Sequence, residues 1–228
     1  MTDKQHPRAI RSFVTRAGRI TEAQERALEA LWPKYGVAAT PSVLDLDTLF
    51  GRHAPRSVEI GFGNGENLSR MAAAHPERDY LGIEVHRPGV GRLLLALEEL
   101  QLTNVRLVCQ DAVEVLAQRI AQHSLDEVVI LFPDPWPKKR HHKRRLVQSA
   151  FVELLTERLC HGGVIRMATD WQPYAEEMLA TVTANPRLQN LSAAGAYSPR
   201  PAERVATRFE QRGERLGHEV WDLAFRRI

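Results

Sequence analysis

An α/β fold, a doubly wound, mostly parallel sheet with helices on both faces, is predicted by two observations. From Ser57 onward, short aliphatic and β-branched runs alternate with longer stretches of amphipathic helical pattern, and the first run ends in a glycine-rich turn, Gly61-Phe62-Gly63-Asn64-Gly65. Such alternation builds parallel strands, because parallel neighbours need a long crossover that is most often a helix. The chain of 228 residues, 43% hydrophobic and 26% charged, is long enough for one substantial core and is read as a single domain.

Residues 1–20 are basic and polar, interrupted by Gly18, and read as a flexible arm. Thr21 and Gln24 have capping-box spacing, so a helix starts there, continues through Ala27, Leu28 and Leu31, and stops near Pro33 and Gly36; residues 21–50 form an N-terminal helical extension. Parallel strands are expected at 57–62, 80–85, 105–110, 127–132 and 164–168, each followed by a helix. Segment 219–227 alternates Val220, Asp222, Ala224 and Arg226 with Trp221, Leu223 and Phe225, which fits a late antiparallel C-terminal strand.

The net charge is only +3, but it is unevenly spread. Residues 138–145 hold six Lys/Arg and no acid, residues 1–20 hold five against Asp3, and the remainder carries 20 basic and 27 acidic residues. Concentrated positive charge points to a polyanionic partner. Cys109 and Cys160 are too few and too far apart for a disulfide framework or a zinc site, so both are read as reduced, mostly buried thiols and no metal is expected. No apolar run reaches the roughly 20 residues of a membrane span and the N-terminus has no secretory pattern, so a cytoplasmic location without membrane contact is expected. Nothing in the sequence points to an obligatory protein partner.

The candidate site residues stand where strands end. Gly61 and Gly63 let the backbone approach a ligand closely. Glu59, just before them, repels a pyrophosphate but attracts the ammonium of an amino-acid ligand. Glu84 ends the second strand, at the place where an acid accepts from ribose hydroxyls, the bland alternative being an exposed strand-end acid. Asp111 follows the third strand and suits an adenine amino group or, equally, the N-cap of the next helix. Three carboxylates around such a turn describe S-adenosyl-L-methionine more closely than NAD.

Asp134-Pro135-Trp136-Pro137 follows the fourth strand and opens into Lys138-Lys139-Arg140-His141-His142-Lys143-Arg144-Arg145. Proline fixes its own φ and biases the preceding residue to extended geometry, so Asp134 and Trp136 are expected to project from a stiff loop. A fixed carboxylate, an aromatic plane and a row of cations suit chemistry on a nucleobase; a strand exit with a solvated basic helix is the plain alternative. Trp136 is read equally as a base-stacking platform or a packing anchor. Asp170, after the fifth strand, is a candidate for the same base edge or a helix N-cap.

These motifs, with Arg11-Ser12-Phe13-Val14, Trp32-Pro33, Gly82-Ile83-Glu84-Val85-His86, Ala168-Thr169-Asp170-Trp171 and Thr207-Arg208-Phe209-Glu210-Gln211-Arg212-Gly213, resemble the bacterial tRNA (guanine-N7-)-methyltransferases over nearly the whole chain. The resemblance implies a Rossmann-like class I methyltransferase fold, S-adenosyl-L-methionine as donor, tRNA as partner, and N7 of guanine 46 in the variable loop as acceptor. It implies that Glu59, Glu84, Asp111 and Asp134 serve the cofactor, with Asp134 also catalytic. It assigns Lys138, Asp170, Thr207, Arg208, Phe209 and Glu210 to the substrate, and Arg140, His141, His142, Lys143, Arg144 and Arg145 to RNA contact. Two departures from the family pattern are Arg166, where a histidine is expected, and Val205-Ala206, where a proline-containing pair is expected.

Three other readings compete. Asp134-Pro135-Trp136 also resembles the Asp-Pro-Pro-Tyr/Trp loop of exocyclic-amine methyltransferases. The charge clusters alone would suit a non-catalytic RNA-binding module with a vestigial cofactor pocket. A dinucleotide oxidoreductase is disfavoured by Glu59.

Overall fold

In the computed structural model, which describes residues 12–13, 19–202, 204, 210 and 219–228, the apolar runs form β1 (Arg56–Ile60), β2 (Asp79–Ile83), β3 (Val105–Val108), β4 (Leu125–Leu131), β5 (Leu159–Thr169), β6 (Leu188–Asn190) and β7 (Trp221–Arg227). They make one sheet of order β3-β2-β1-β4-β5-β7-β6. The first five are parallel, and β7 runs antiparallel between β5 and β6. The six expected strands are present. β6 was not expected, because it is three residues long and Leu188 is its one buried side chain.

Among the described residues the strands are accompanied by the helices α1 (Glu22–Tyr35), α2 (Leu46–Phe50), α3 (Glu66–Ala74), α4 (Arg87–Glu99), α5 (Ala112–Arg119), α6 (Ser149–Arg158) and α7 (Gln172–Thr183). The two-residue strand period sends Val58, Ile60, Leu81, Ile83, Val128 and Ile130 to one face, where Leu116, Phe151, Tyr174 and Met178 cover them. On the other face Tyr80, Val105 and Leu107 pack with Leu68, Val90, Leu93, Leu94 and Leu97. Leu93, Leu94 and Leu97 are wholly buried. Truncating any one of them to alanine costs about 2–5 kcal/mol.

The capping box at Thr21 and Gln24 forms reciprocally, with Thr21 N donating to Gln24 Oε1 at 2.9 Å and Gln24 N to Thr21 Oγ1 at 3.3 Å. The helix ends at Tyr35 with Gly36 as its C-cap, as expected, and Pro33 sits within its last turn. Burial of Tyr35 holds that turn: its hydroxyl donates to Glu98 Oε2 at 3.0 Å, and Lys34 Nζ lies 2.6 Å from the same oxygen. Beyond Gly36 the chain extends, Val37 N donating to Leu107 O at 2.8 Å, so the 21–50 extension is two helices joined by an extended link.

Arg166 is accommodated by its neighbours: its Nε donates to Glu127 Oε1 at 2.8 Å on the adjacent strand. Val205 and Ala206 lie outside the described residues, as does most of the 1–20 arm. Cys109 and Cys160 are half-buried free thiols, less covered than expected. Among the described residues no helix is long and apolar enough to cross a membrane.

Candidate active site

The parallel order β3-β2-β1-β4-β5 brings five chain segments to one edge of the sheet: Asp111, Glu84, the Gly61–Gly65 turn, Asp134 and Asp170 follow the C-terminal ends of successive neighbours. The strand order reverses between β1 and β4, and doubly wound folds open a ligand crevice at such a switch point.

Gly61 and Gly63 adopt φ of 70° and 56°, and a Cβ at either would point into open space. The turn therefore presents bare backbone on its outer side, with the start of α3 behind it. Glu84 holds the turn from the neighbouring strand. Its Oε2 accepts from Gly63 N at 2.9 Å, while Oε1 accepts from Val85 N at 2.7 Å and His86 N at 2.9 Å. A carboxylate offers about four lone-pair sites, so one is left for a ligand hydroxyl.

Glu59 points to the opposite side of β1 from Val58 and is 4% exposed. Its Oε2 accepts from Asn67 Nδ2 of α3 at 2.8 Å. Burial pushes its pKa up to about 7, the Asn67 bond opposes that, and the Glu127 and Glu84 carboxylates add to it. Glu59 thus underpins the turn from below. Asp111 is the N-cap of α5, its Oδ1 accepting from Val113 N at 2.8 Å. Val113 beside it is an exposed apolar side chain, 40% accessible, on the same sheet edge.

The acid loop departs from the sequence expectation in one respect. Trp136 is not extended: it has φ of 44°, and Phe132 has φ of 51°. Left-handed backbone costs an L-residue roughly 1–2 kcal/mol, and bulky side chains adopt it rarely. Tertiary anchors outweigh the local bias that proline imposes. Phe132 N donates to Ala168 O at 2.8 Å, Trp136 Nε1 donates to Ser12 O at 3.1 Å, and Arg145 Nε donates to Pro135 O at 2.9 Å. Arg144 lies over the Trp136 ring at 4.9 Å, and His141 meets its edge at 5.7 Å. Trp136 is a packing anchor here. Asp134, between the two strained aromatics, is exposed.

The basic run folds into a 3-10 turn over Lys139–Arg144. Three residues per turn stack positions i and i+3, so the run is sorted into faces. Arg140 and Lys143 are exposed on one face, and His141 and Arg144 share the Trp136 face. Arg145 turns inward. It is 3% exposed, ion-pairs with Glu177 of α7, and lies 4.8 Å over the Tyr174 ring. Arg145 is therefore removed from the expected RNA-contacting set, since its guanidinium is already committed inside the protein. Desolvation, followed by the cations of Arg140 and Arg144, holds the His141 pKa below its usual value. Lys138 and His142 flank the turn, Lys138 exposed and His142 half-buried.

Asp170 is half-buried at the end of β5 and is not the cap of α7, which begins from Trp171. Glu210 is 1% exposed, and both its oxygens accept from Arg204 at 2.8 Å. Arg204 also donates to Asp222 Oδ2 of β7 at 3.0 Å. Glu210 therefore stands in a buried bidentate pair with Arg204, which also reaches β7 through Asp222. Thr207, Arg208 and Phe209 lie outside the described residues. A cavity of about 370 Å³ is lined by Glu59, Tyr80, Glu127 and Arg166, together with Arg204 and Asp222. Tyr174, Glu177, Asn67 and Arg204 are the site residues that sequence reasoning missed, and Arg145 is the one it placed on the wrong side of the surface. Arg145 lies hidden in a run of like charges, and the others are single residues without a motif.

The family model described as "Putative methyltransferase" matches residues 53–223. A tRNA (guanine-N(7)-)-methyltransferase of Stutzerimonas stutzeri is 57% identical over 97% of this chain and 93% of its own. The enzyme of the same name from Pseudomonas aeruginosa is 54% identical over 99% of this chain and 93% of its own. Among solved structures, the 16S rRNA methyltransferase KamB superposes with a TM-score of 0.59 at 14% identity, covering 82% of this chain and 95% of that one, a likeness of fold. Identity above one half along almost the entire length places the chain within one family: it belongs to the tRNA (guanine-N(7)-)-methyltransferases.

Proposed function

We propose that this chain transfers the methyl group of S-adenosyl-L-methionine to N7 of a guanine in tRNA, position 46 of the variable loop, in the cytoplasm. The observation that carries the reading is the single sheet edge on which Asp111, Glu84, the glycine turn, Asp134 and Asp170 stand in strand order beside an exposed basic turn. The relatives' shared activity supports the same reading.

The residues present fit the donor. Gly61 and Gly63 leave room that a Cβ would enter, Glu84 keeps one acceptor site for a ribose hydroxyl, and Asp111 and Val113 offer an acceptor and an apolar surface to adenine. Glu59, below the turn, gains its charge most readily when an ammonium stands above it. When bound, S-adenosyl-L-methionine supplies a sulfonium methyl open to in-line displacement.

Guanine N7 has a lone pair and no proton, so the chain needs no base at the nucleophile. Placement supplies most of the acceleration. Asp134 accepts from guanine N1–H and the 2-amino group and offsets the positive charge that grows on the purine. Asp170 approaches the same base from the next strand. Lys138, Arg140, Lys143 and Arg144 bind phosphates, which set register and affinity rather than sequence choice.

The reading is tested by incubating the protein with methyl-labelled S-adenosyl-L-methionine and unmodified tRNA and identifying the labelled nucleoside. The expected product is a cationic, alkali-labile 7-methylguanosine. A neutral, alkali-stable product methylated on an exocyclic amine would contradict it.

A further inference from the structure

The acid loop holds two aromatic residues in left-handed backbone, Phe132 at φ 51° and Trp136 at φ 44°, on either side of Asp134. Such strain persists only where the surroundings over-determine it. The sheet fixes the Phe132 end through its hydrogen bond to Ala168 O. Beyond Asp134 the main-chain carbonyl of Pro135 is held by Arg145 Nε at 2.9 Å, and Arg145 is in turn fixed by three contacts of its own: the ion pair with Glu177, the stack on Tyr174, and its own amide donating to His142 O at 2.9 Å. Tyr174 is itself wholly buried, its hydroxyl accepting from Val147 N at 3.1 Å.

We propose that Arg145 is a positioning residue for methyl transfer: it ties the carbonyl next to Asp134 to helix α7 and thereby fixes where the Asp134 carboxylate stands. The inference rests on the reading of Asp134 as the residue that holds guanine. A planar guanidinium suits this task because one N–H reaches the carbonyl while another pairs with Glu177 and the flat face stacks on Tyr174. An ammonium cannot do all three. A phosphate-binding arginine, by contrast, would be exposed, and lysine would replace it with little loss.

Arg145→Lys and Arg145→Met separate the two roles. A misplacement on the scale of 1 Å costs up to about a hundredfold, so Arg145→Lys is expected to lower the single-turnover rate at saturating tRNA by at least about tenfold. The slope of log K against log salt for tRNA stays that of the wild type for both variants. The indole N–H resonance of Trp136 and the amide resonance of Asp134 move or broaden in the protein alone, with no substrate present. Should Arg145→Met fail to fold, the charge-conserving lysine variant carries the comparison. A lysine variant within about twofold of wild-type rate, or a loss of about one phosphate's worth of salt slope in Arg145→Met, would overturn the proposal. If the resonances move but the wild type makes no 7-methylguanosine, it is the functional reading that has failed, and the anchoring of the loop stands apart from it.

Discussion

The carboxylate of Glu84 accepts the main-chain N–H of Gly63 at 2.9 Å, joining the end of one strand to the glycine turn of its neighbour. In the proposed function the same carboxylate also accepts from a ribose hydroxyl, so a single side chain would both shape the turn and meet the ligand. Glu84→Ala removes a charge-assisted bond to the ligand together with the bond that holds the turn. Its effect on S-adenosyl-L-methionine affinity is expected to be about 2–4 kcal/mol by titration calorimetry. Unchanged affinity would remove Glu84 from the site.

Three cations of the basic turn, Arg140, Lys143 and Arg144, remain as candidate phosphate contacts after Arg145 is set aside. Replacing all three by uncharged residues is expected to flatten the dependence of log K for tRNA on log salt by roughly 2–3 units, each contact contributing about 0.7–0.9. Affinity for S-adenosyl-L-methionine alone stays the same. An unaltered salt slope would send the polyanion elsewhere on the protein.

Burial raises the pKa of Glu59 to about 7, above its ordinary value of 4.5. Between these values the folded protein holds a proton that the unfolded chain has released, so stability falls as pH rises from about 4.5 to 7 and is level above. Glu59→Gln removes this loss and is expected to raise stability at pH 8 by about 3 kcal/mol, measured by urea unfolding at pH 5 and pH 8. For the wild type, affinity for S-adenosyl-L-methionine increases with pH through about 7, because the ammonium favours the ionised carboxylate. Glu59→Gln abolishes that rise. A pH-independent affinity in the wild type would rule out the ammonium role.

The parallel strands were legible because their apolar runs, such as Val128-Val129-Ile130-Leu131, are continuous enough to be buried from two sides, and β6 was not because three residues carry no period. The edge carboxylates were legible too, since strand ends in a doubly wound fold all face one crevice. What a charge count cannot see is periodicity. The 138–145 run reads as a uniform basic stretch, and only the 3-10 turn reveals that Arg145 faces the core while Arg140 and Lys143 face water. Trp136 escaped for a related reason: local proline bias favours extended backbone, and contacts from Ser12, Arg144 and Arg145, each distant in sequence or hidden among like charges, prevail over it. Glu210 carries no sign in the sequence that Arg204, six residues earlier, takes both its oxygens.

Asp134 stands at the centre of this account, as an exposed carboxylate on a loop that the rest of the structure holds in place. Its substitution by alanine, followed by single-turnover methyl transfer at saturating tRNA and S-adenosyl-L-methionine, tests that position most directly. Loss of the group that orients guanine and balances the purine's charge is expected to lower the rate by at least about a hundredfold, with the tRNA dissociation constant changed by no more than about threefold. A rate within about threefold of wild type would contradict the account and leave Asp170 as the carboxylate that holds the base.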